Sequence, residues 1–456
     1  MDRDPLYTSG KHKKPEGLAL LWRVAAAIRL YLYCECLDFD GVKIFEWLDT
    51  FFPHNQNDQR SQDMLRSYIF QDRSYDTNYN QLQKLIDVSF YGYEHNWNCL
   101  HPANHEVFAP IFRYLQHCFP EKLDHQIKAT YHVAEDNYDI IDGIRAIDEA
   151  VLFCDLRSGS RLGHATLLGM DAEKYYQSKN NQITIPIQNW LDNVVWLYYY
   201  IKENNIIFAG SALLLDYLRQ EFEKSFHEVY LQALSSDYVK NLLMERNVFE
   251  PCFDIEQYFC SWLLRGDEPD LYKTGFADKR FYHRDKYSFC YSSDKIDHAR
   301  ESAEANYLYY LYHFRKSVKE KGGRFIIKSL PEYYISGVIH AQKKMCSYIA
   351  SMGICIETNP TSNLLISSIN SYTEHPISKF YCNGLNSTDN ETQLNISVNT
   401  DDKGVFSTSL SNEYSYLLFN LEQIKDAEGK QKYSRFQLLK WLDEIRRMGN
   451  EQSFAN

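Results

Sequence analysis

A chain of 456 residues with 44% apolar and 15% aromatic content can bury a large core, enough for one elaborated domain or two to three ordinary ones. The net charge of −12 comes with scattered basic residues, Lys11-His12-Lys13-Lys14 being the one dense run, which argues against tight nucleic-acid binding by this chain alone and leaves room for a local phosphate pocket. No uncharged apolar run approaches the ~18–20 residues of a membrane span, since even LALLWRVAAAIRLYLY carries Arg23 and Arg29.

Eleven dispersed cysteines include one C-x-C (Cys34, Cys36) and no C-x-x-C. With a polar N terminus lacking an apolar signal core, they point to free thiols in a reducing cytoplasm. The 36 tyrosines exceed what a core alone would use, and an amphipathic ring suits helix–helix or subunit contacts, so a homo-oligomer is expected.

In chain order, residues 1–84 read as a helical segment, with amphipathic helices at 17–37 and 41–52 and a helical stretch at 59–84. A first strand at 85–90 closes on Tyr91-Gly92-Tyr93-Glu94, and a helix follows at about 106–117. A second strand at 126–131 runs straight into His132-Val133-Ala134-Glu135, and a helix spans 137–156. A short third strand begins near Ser158 and ends in Arg161-Leu162-Gly163-His164. Residues 171–350 carry helix signals at 187–204, 211–233, 255–265 and 298–322, far beyond an ordinary strand–helix connection. They read as a helical insertion rich in Tyr and Trp. In the remaining segment, 351–456, a fourth strand at 353–358 closes on Asn359-Pro360-Thr361-Ser362-Asn363. A fifth, with Leu394, Ile396 and Val398 in alternation, closes on Asn399-Thr400-Asp401-Asp402, and a helix at 434–448 ends the pattern.

Short strands separated by helices, each closing on polar or glycine residues, indicate a parallel α/β sheet with chemistry at the C-terminal strand ends. Residues 85–170 would supply its first part and 351–456 its last. The strand-end residues are Gly92, His132, Glu135, His164, Asp401 and Asp402. Imidazole with carboxylate is a ligand set suited to Zn²⁺, and a further His and Glu beside a metal can move protons to and from water. Strand alternation puts His132 and Glu135 on opposite faces, so Glu135 reaches a shared pocket only from beyond the strand end.

In this order the motifs resemble the adenosine/AMP deaminase family of the metal-dependent amidohydrolases. His132-Val133-Ala134-Glu135 is similar to that family's H-A-G-E, Arg161–His164 to its R-x-G-H, and Asn359–Asn363 to its C-P-T-S-N. His375-Pro376 is similar to its H-P, and Asn399–Asp402 to its [ST]-T-D-D. The longer run VNTDDKGVFSTSLSNEY looks most like the large, insertion-bearing bacterial deaminases of the RADAR antiphage systems. The resemblance implies a (β/α)₈ barrel and hydrolytic deamination of an adenine nucleoside or nucleotide. It implies that His132 and Asp401 ligate Zn²⁺, and that His164 serves as general base and electrostatic partner of the attacking water. Glu135 would protonate purine N1, Asp402 would bind N7, and the backbone at Gly92 would receive the ring near N3.

The family's first barrel strand carries H-x-H, and none of the 15 histidines here has a neighbour two positions away. His101 and His105 are four apart, on a loop after the first readable strand. The opening barrel strands are therefore expected from an upstream polypeptide, and the zinc site of the chain alone is expected to be incomplete. The alternative is a catalytically inactive deaminase-like scaffold that oligomerises through its helical region. A tRNA-type deaminase is excluded, because H-x-E and P-C-x-x-C are both missing.

Overall fold

The computed structural model describes residues 109–110, 112–113, 129–135, 137–277, 293–385, 392–401 and 406–452. The expected elements at 1–84, the strand at 85–90, Gly92, His101, His105, most of the helix at 106–117 and Asp402 lie outside the described residues.

Four short strands form one parallel sheet in the order β1 (Thr130–Val133), β2 (Arg161–His164), β5 (Cys355–Thr358), β6 (Ile396–Val398). The register aligns their ends: Val133 faces His164, Gly163 faces Glu357 and Thr358 faces Val398. The C-terminal ends thus form one rim, so residues remote in sequence meet there. Between β2 and β5, a separate antiparallel pair, β3 (Gln182–Pro186) with β4 (Phe325–Ser329), brackets much of the helical region.

Helix α1 (Ile140–Phe153) joins β1 to β2 and buries Ile140, Ile144, Ile147 and Val151. It begins at Asp139, whose side chain accepts from the Ile141 N–H as a capping residue should. Gly143 lets it approach closely, because a Cβ there would come within 2.4 Å of Leu167 Cδ1 and 3.2 Å of the Ala134 methyl.

Helices α2 (Ile187–Glu203) and α3 (Ser211–Leu234) pack along each other, burying Trp190, Trp196, Leu214 and Leu218. Helix α4 (Ile255–Leu263) packs on α2 and on α5 (Ala303–Phe314). The expected continuous helix at 298–322 is interrupted. Ser302 has extended backbone and caps α5 through the Ala305 N–H, and Arg315 (φ −90°, ψ 107°) leaves helical geometry again. Helix α6 (Glu332–Met352) leads into β5 and stops at Gly353, whose φ of +65° suits glycine. Its buried Tyr334, Val338, Ala341, Met345 and Ile349 stand at helical spacing.

Four buried tyrosines are held by buried carboxylates. The Tyr176 and Tyr334 hydroxyls donate to Asp139, that of Tyr258 to Asp192 and that of Tyr272 to Asp267. Asp192 also takes two 2.7 Å hydrogen bonds from the buried Arg265 guanidinium. Arg300 forks onto Asp267 in the same manner, at 3.0 and 2.8 Å. The buried charges of Asp192 and Asp267 are thus paired, as their desolvation cost demands.

Helix α7 (Pro360–Ile366) follows β5, and α8 (Leu410–Glu422) and α9 (Arg435–Glu451) close the described chain. The small residues Ser397 and Gly449 let α9 cover β6, which is why Ser397 is as buried as Ile396 despite the alternation of the strand. Among the described residues no helix is long and apolar enough to cross a membrane.

Candidate active site

Three of the strand-end side chains converge tightly. One ligand atom from each of His132, Glu135 and His164 lies within 4.8 Å of the others. The His132 and His164 rings sit 4.3 Å apart between centroids. Asp401 adjoins this group, its Oδ2 3.8 Å from His164 Nε2. Gly92 and Asp402 lie outside the described residues.

The backbone explains the convergence. β1 ends at Val133, and Ala134 takes a left-handed conformation (φ 56°) that turns Glu135 back towards His132, leaving Glu135 Oε2 3.6 Å from His132 Nε2. The Ala134 carbonyl is held in this turn by the Thr166 hydroxyl at 2.9 Å and the Leu167 N–H at 3.2 Å. His164, at the end of β2, and Asp401, just beyond β6, are also left-handed, at φ 68° and 55°. Such backbone costs about 1–3 kcal/mol per non-glycine residue, and here it lies at three strand ends facing one rim.

Burial divides the group in two. The side chains of Glu135 and His164 are 2% and 4% exposed, whereas those of His132 and Asp401 are 28% and 29% exposed. An outer imidazole and carboxylate therefore face the solvent side, and an inner carboxyl and imidazole are shielded from it. Charge–charge and hydrogen-bond interactions of the inner pair act in a lower dielectric and are correspondingly stronger.

The inner pair is fastened by the two motifs after β5. Glu135 Oε1 accepts from Ser362 Oγ at 3.1 Å and from Asn363 Nδ2 at 2.8 Å, and lies 3.0 Å from His164 Nδ1. Asn363 Nδ2 is also 2.8 Å from His164 Nδ1. Behind Asn363, His375 Nε2 contacts its Oδ1 at 3.0 Å, while His375 Nδ1 accepts from the Ile377 N–H at 3.2 Å. Burial first, then the neighbouring His164, pulls the His375 pKa down to about 3, so this ring is neutral. Ser362, Asn363 and His375 had no role in the sequence reading, although the motifs that contain them stood out there.

The donor set suits zinc. Imidazole nitrogen and carboxylate oxygen are its ordinary ligand atoms, and they meet here at one partly open point. The buried Asn359 Oδ1, next to this group, has no hydrogen-bond partner among the described residues, as befits an oxygen awaiting a donor from a bound molecule.

Residues 327–429 match the family model described as adenosine deaminase. The chain is 38% identical over 77 residues to an adenosine deaminase of Plasmodium gallinaceum, covering 17% of this chain and 19% of that protein. It is 39% identical over 71 residues to an adenosine deaminase of Shewanella loihica, covering 16% of this chain and 19% of that protein. The alignments span about a fifth of the length of these curated relatives (19% of each). The segment matched by the family model contains Asn359, Asn363, His375 and Asp401, and the parallel sheet brings to it His132, Glu135 and His164 from the preceding part of the chain. Residues 327–429 are thus similar to part of the adenosine deaminases.

Proposed function

We propose that the chain forms the downstream part of a zinc-dependent deaminase that converts an adenine nucleoside or nucleotide to its inosine form. The observation that carries this reading is the meeting of His132, Glu135, His164 and Asp401 at one rim of the parallel sheet. The adenosine deaminase match over residues 327–429 supports the reaction class.

His132 and Asp401, the solvent-facing pair, would hold the zinc. Bound there, zinc supplies the Lewis acidity that makes water a nucleophile near neutral pH. His164 would take a proton from the water that adds to C6 of the purine. Glu135, shielded and oriented by Ser362 and Asn363, delivers a proton to N1. Asp402 as the partner of N7 and the Gly92 backbone as the receiver of the ring edge at N3 complete this proposal from the sequence motifs, both residues lying outside the described residues. The C6 adduct would then expel ammonia as the proton taken by His164 passes to the amino nitrogen, while the hydroxyl proton returns to Glu135 and leaves the C6 carbonyl.

The chain would work with an upstream polypeptide that supplies the opening strands of a (β/α)₈ barrel and the remaining imidazole ligands. Its assembly is a cytoplasmic homo-oligomer serving antiphage defence. The outward-facing Phe419 and Phe436 on α8 and α9, 53% and 79% exposed, support such contacts.

The test is release of ammonia and formation of the inosine product from adenosine, AMP and ATP, with and without the product of the neighbouring upstream gene. Deamination of one of them by the reconstituted complex is expected. No product from any of the three, with zinc present, refutes the reading.

A further inference from the structure

The antiparallel pair β3–β4 leaves one edge of β4 open. Two contacts flanking the strands fix the phase of its ladder: the Ile187 N–H donates to the Arg324 carbonyl at 2.9 Å, and the Leu330 N–H to the Asn181 carbonyl at 2.8 Å. Bonded pairs recur at every second residue, so in the observed register Ile326 bonds Ile185 and Lys328 bonds Ile183. Pro186, which has no N–H, accordingly stands at the unbonded position opposite Phe325. The N–H and C=O groups of Phe325, Ile327 and Ser329 therefore point away from β3, and among the described residues no strand lies beyond them.

The side chains of these three residues share one exposed face with Gln182 and Thr184. Phe325 is 58% and Ile327 69% exposed, although the Tyr138 ring meets Phe325 edge-on at 5.6 Å between centroids. Proteins ordinarily blunt such an edge with an outward charge, a proline or a bulge. β4 has none of these. Its one charged residue, Lys328, lies on the other face and is paired with Glu221.

The edge is complementary to a second copy of itself. An antiparallel pairing with Ile327 on a two-fold axis sets Ile327 against Ile327 and Phe325 against Ser329, a large side chain over a small one. Three bonded pairs then exchange about six backbone hydrogen bonds. No like charges meet in this register: Lys328 falls opposite Ile326, and Arg324, paired with Glu228 of its own chain, falls opposite Leu330. The exposed Glu332, two residues past Leu330, comes towards the Lys321–Arg324 end of the other copy, so opposite charges approach at both ends.

We propose that β4 is a dimerisation edge, joining two copies of the chain through antiparallel β4 strands centred on Ile327 into one four-stranded sheet. The proposal is independent of the deaminase reading, and its surface is separate from the aromatic pair on α8 and α9.

The experiment is sedimentation velocity of the full chain at about 1–100 μM, with thiol cross-linking as the second measurement. The wild type should sediment at twice 53.8 kDa or an even multiple of it. Ile327→Lys sets two ammonium groups face to face on the axis and should raise the dissociation constant at least about tenfold, with the circular dichroism spectrum unchanged. Ile327→Val should dimerise as the wild type does. Ile327→Cys should cross-link chain to chain through a short bifunctional maleimide, above the wild-type background to which the exposed Cys252 contributes. Phe325→Cys, which this register holds far from its own counterpart, should stay at that background. A single-copy mass for the wild type overturns the proposal, whichever foreign strand then takes the edge. A dimer that Ile327→Lys leaves intact overturns it as well, and moves the contact elsewhere. Equal cross-linking at residues 325 and 327 refutes the register, and this readout decides even if the lysine variant fails to fold.

Discussion

Glu135 Oε1 and His164 Nδ1 lie 3.0 Å apart, although α1 and a strand separate them in the chain. Each reaches this position through a left-handed residue at a strand end, Ala134 for the one and His164 itself for the other. The pair is buried, bound by Asn363 from behind, and flanked on the solvent side by His132 and Asp401.

The proposed roles predict that His164→Ala or Asp401→Ala abolishes deamination in the reconstituted complex, while assembly, followed by light scattering, is retained. Glu135→Gln should lower kcat by at least about 100-fold, the usual contribution of a positioned general acid. Undiminished ammonia release from any of the three removes that residue from the mechanism.

Zinc should bind weakly to the chain alone, because His132 and Asp401 provide fewer ligands than the three or four protein ligands of a lasting site. Metal analysis after dialysis against a mild chelator should find well under one zinc per chain, more when the upstream polypeptide is present, and almost none for His132→Ala. One tightly held zinc on the lone chain would contradict an incomplete site.

Burial raises the Asp139 pKa from 3.8 to about 6 despite hydrogen bonds from Tyr176 and Tyr334. The folded state then holds this proton more tightly than the unfolded one, so its contribution is full below about pH 4 and is lost as pH rises through about 6. The loss is at most about 3 kcal/mol. Asp139→Asn keeps the helix cap and should raise the melting temperature at pH 8 more than at pH 4. Equal shifts at both pH values would exclude this linkage.

His375 acts with the opposite sign. Its pKa falls from 6.5 to about 3 on folding, so stability is full above pH 6.5 and declines as the pH drops towards 3. Relative to pH 8, the cost at pH 5 is about 2 kcal/mol. His375→Gln should flatten this acid limb in urea titrations; an unchanged limb would show that other groups cause it.

Removing Arg265 should destabilise the fold by about 3–5 kcal/mol, because Asp192 would remain buried without its two guanidinium hydrogen bonds. Arg265→Met with Asp192→Leu should lose much less. A single variant as stable as the wild type would mean that Tyr258 and Gln188, which also donate to Asp192, suffice.

Local pattern made several elements legible. The apolar spacing at 187–204 and 211–233 corresponds to α2 and α3 within a residue, since a helix face repeats over a few neighbouring positions. β5 and β6 were legible from a few apolar residues ending in polar motifs, the second of which holds Asp401, and the ends of β1 and β2 hold His132 and His164. α6 had the same kind of signal in Tyr334, Val338, Ala341 and Met345 and was overlooked.

What depends on distant partners was decided only in three dimensions. β3 and β4 are short, β3 ends in proline, and each exists because the other lies beside it across the helical region. The order of the parallel sheet places Glu135 against His164 and Asn363, and no spacing in the chain encodes that distance. Nor does composition say which way an amide points. Asn363 is turned by backbone N–H groups of residues 359 and 377, acting directly and through His375, because a hydrogen bond specifies direction only once both of its partners are in place.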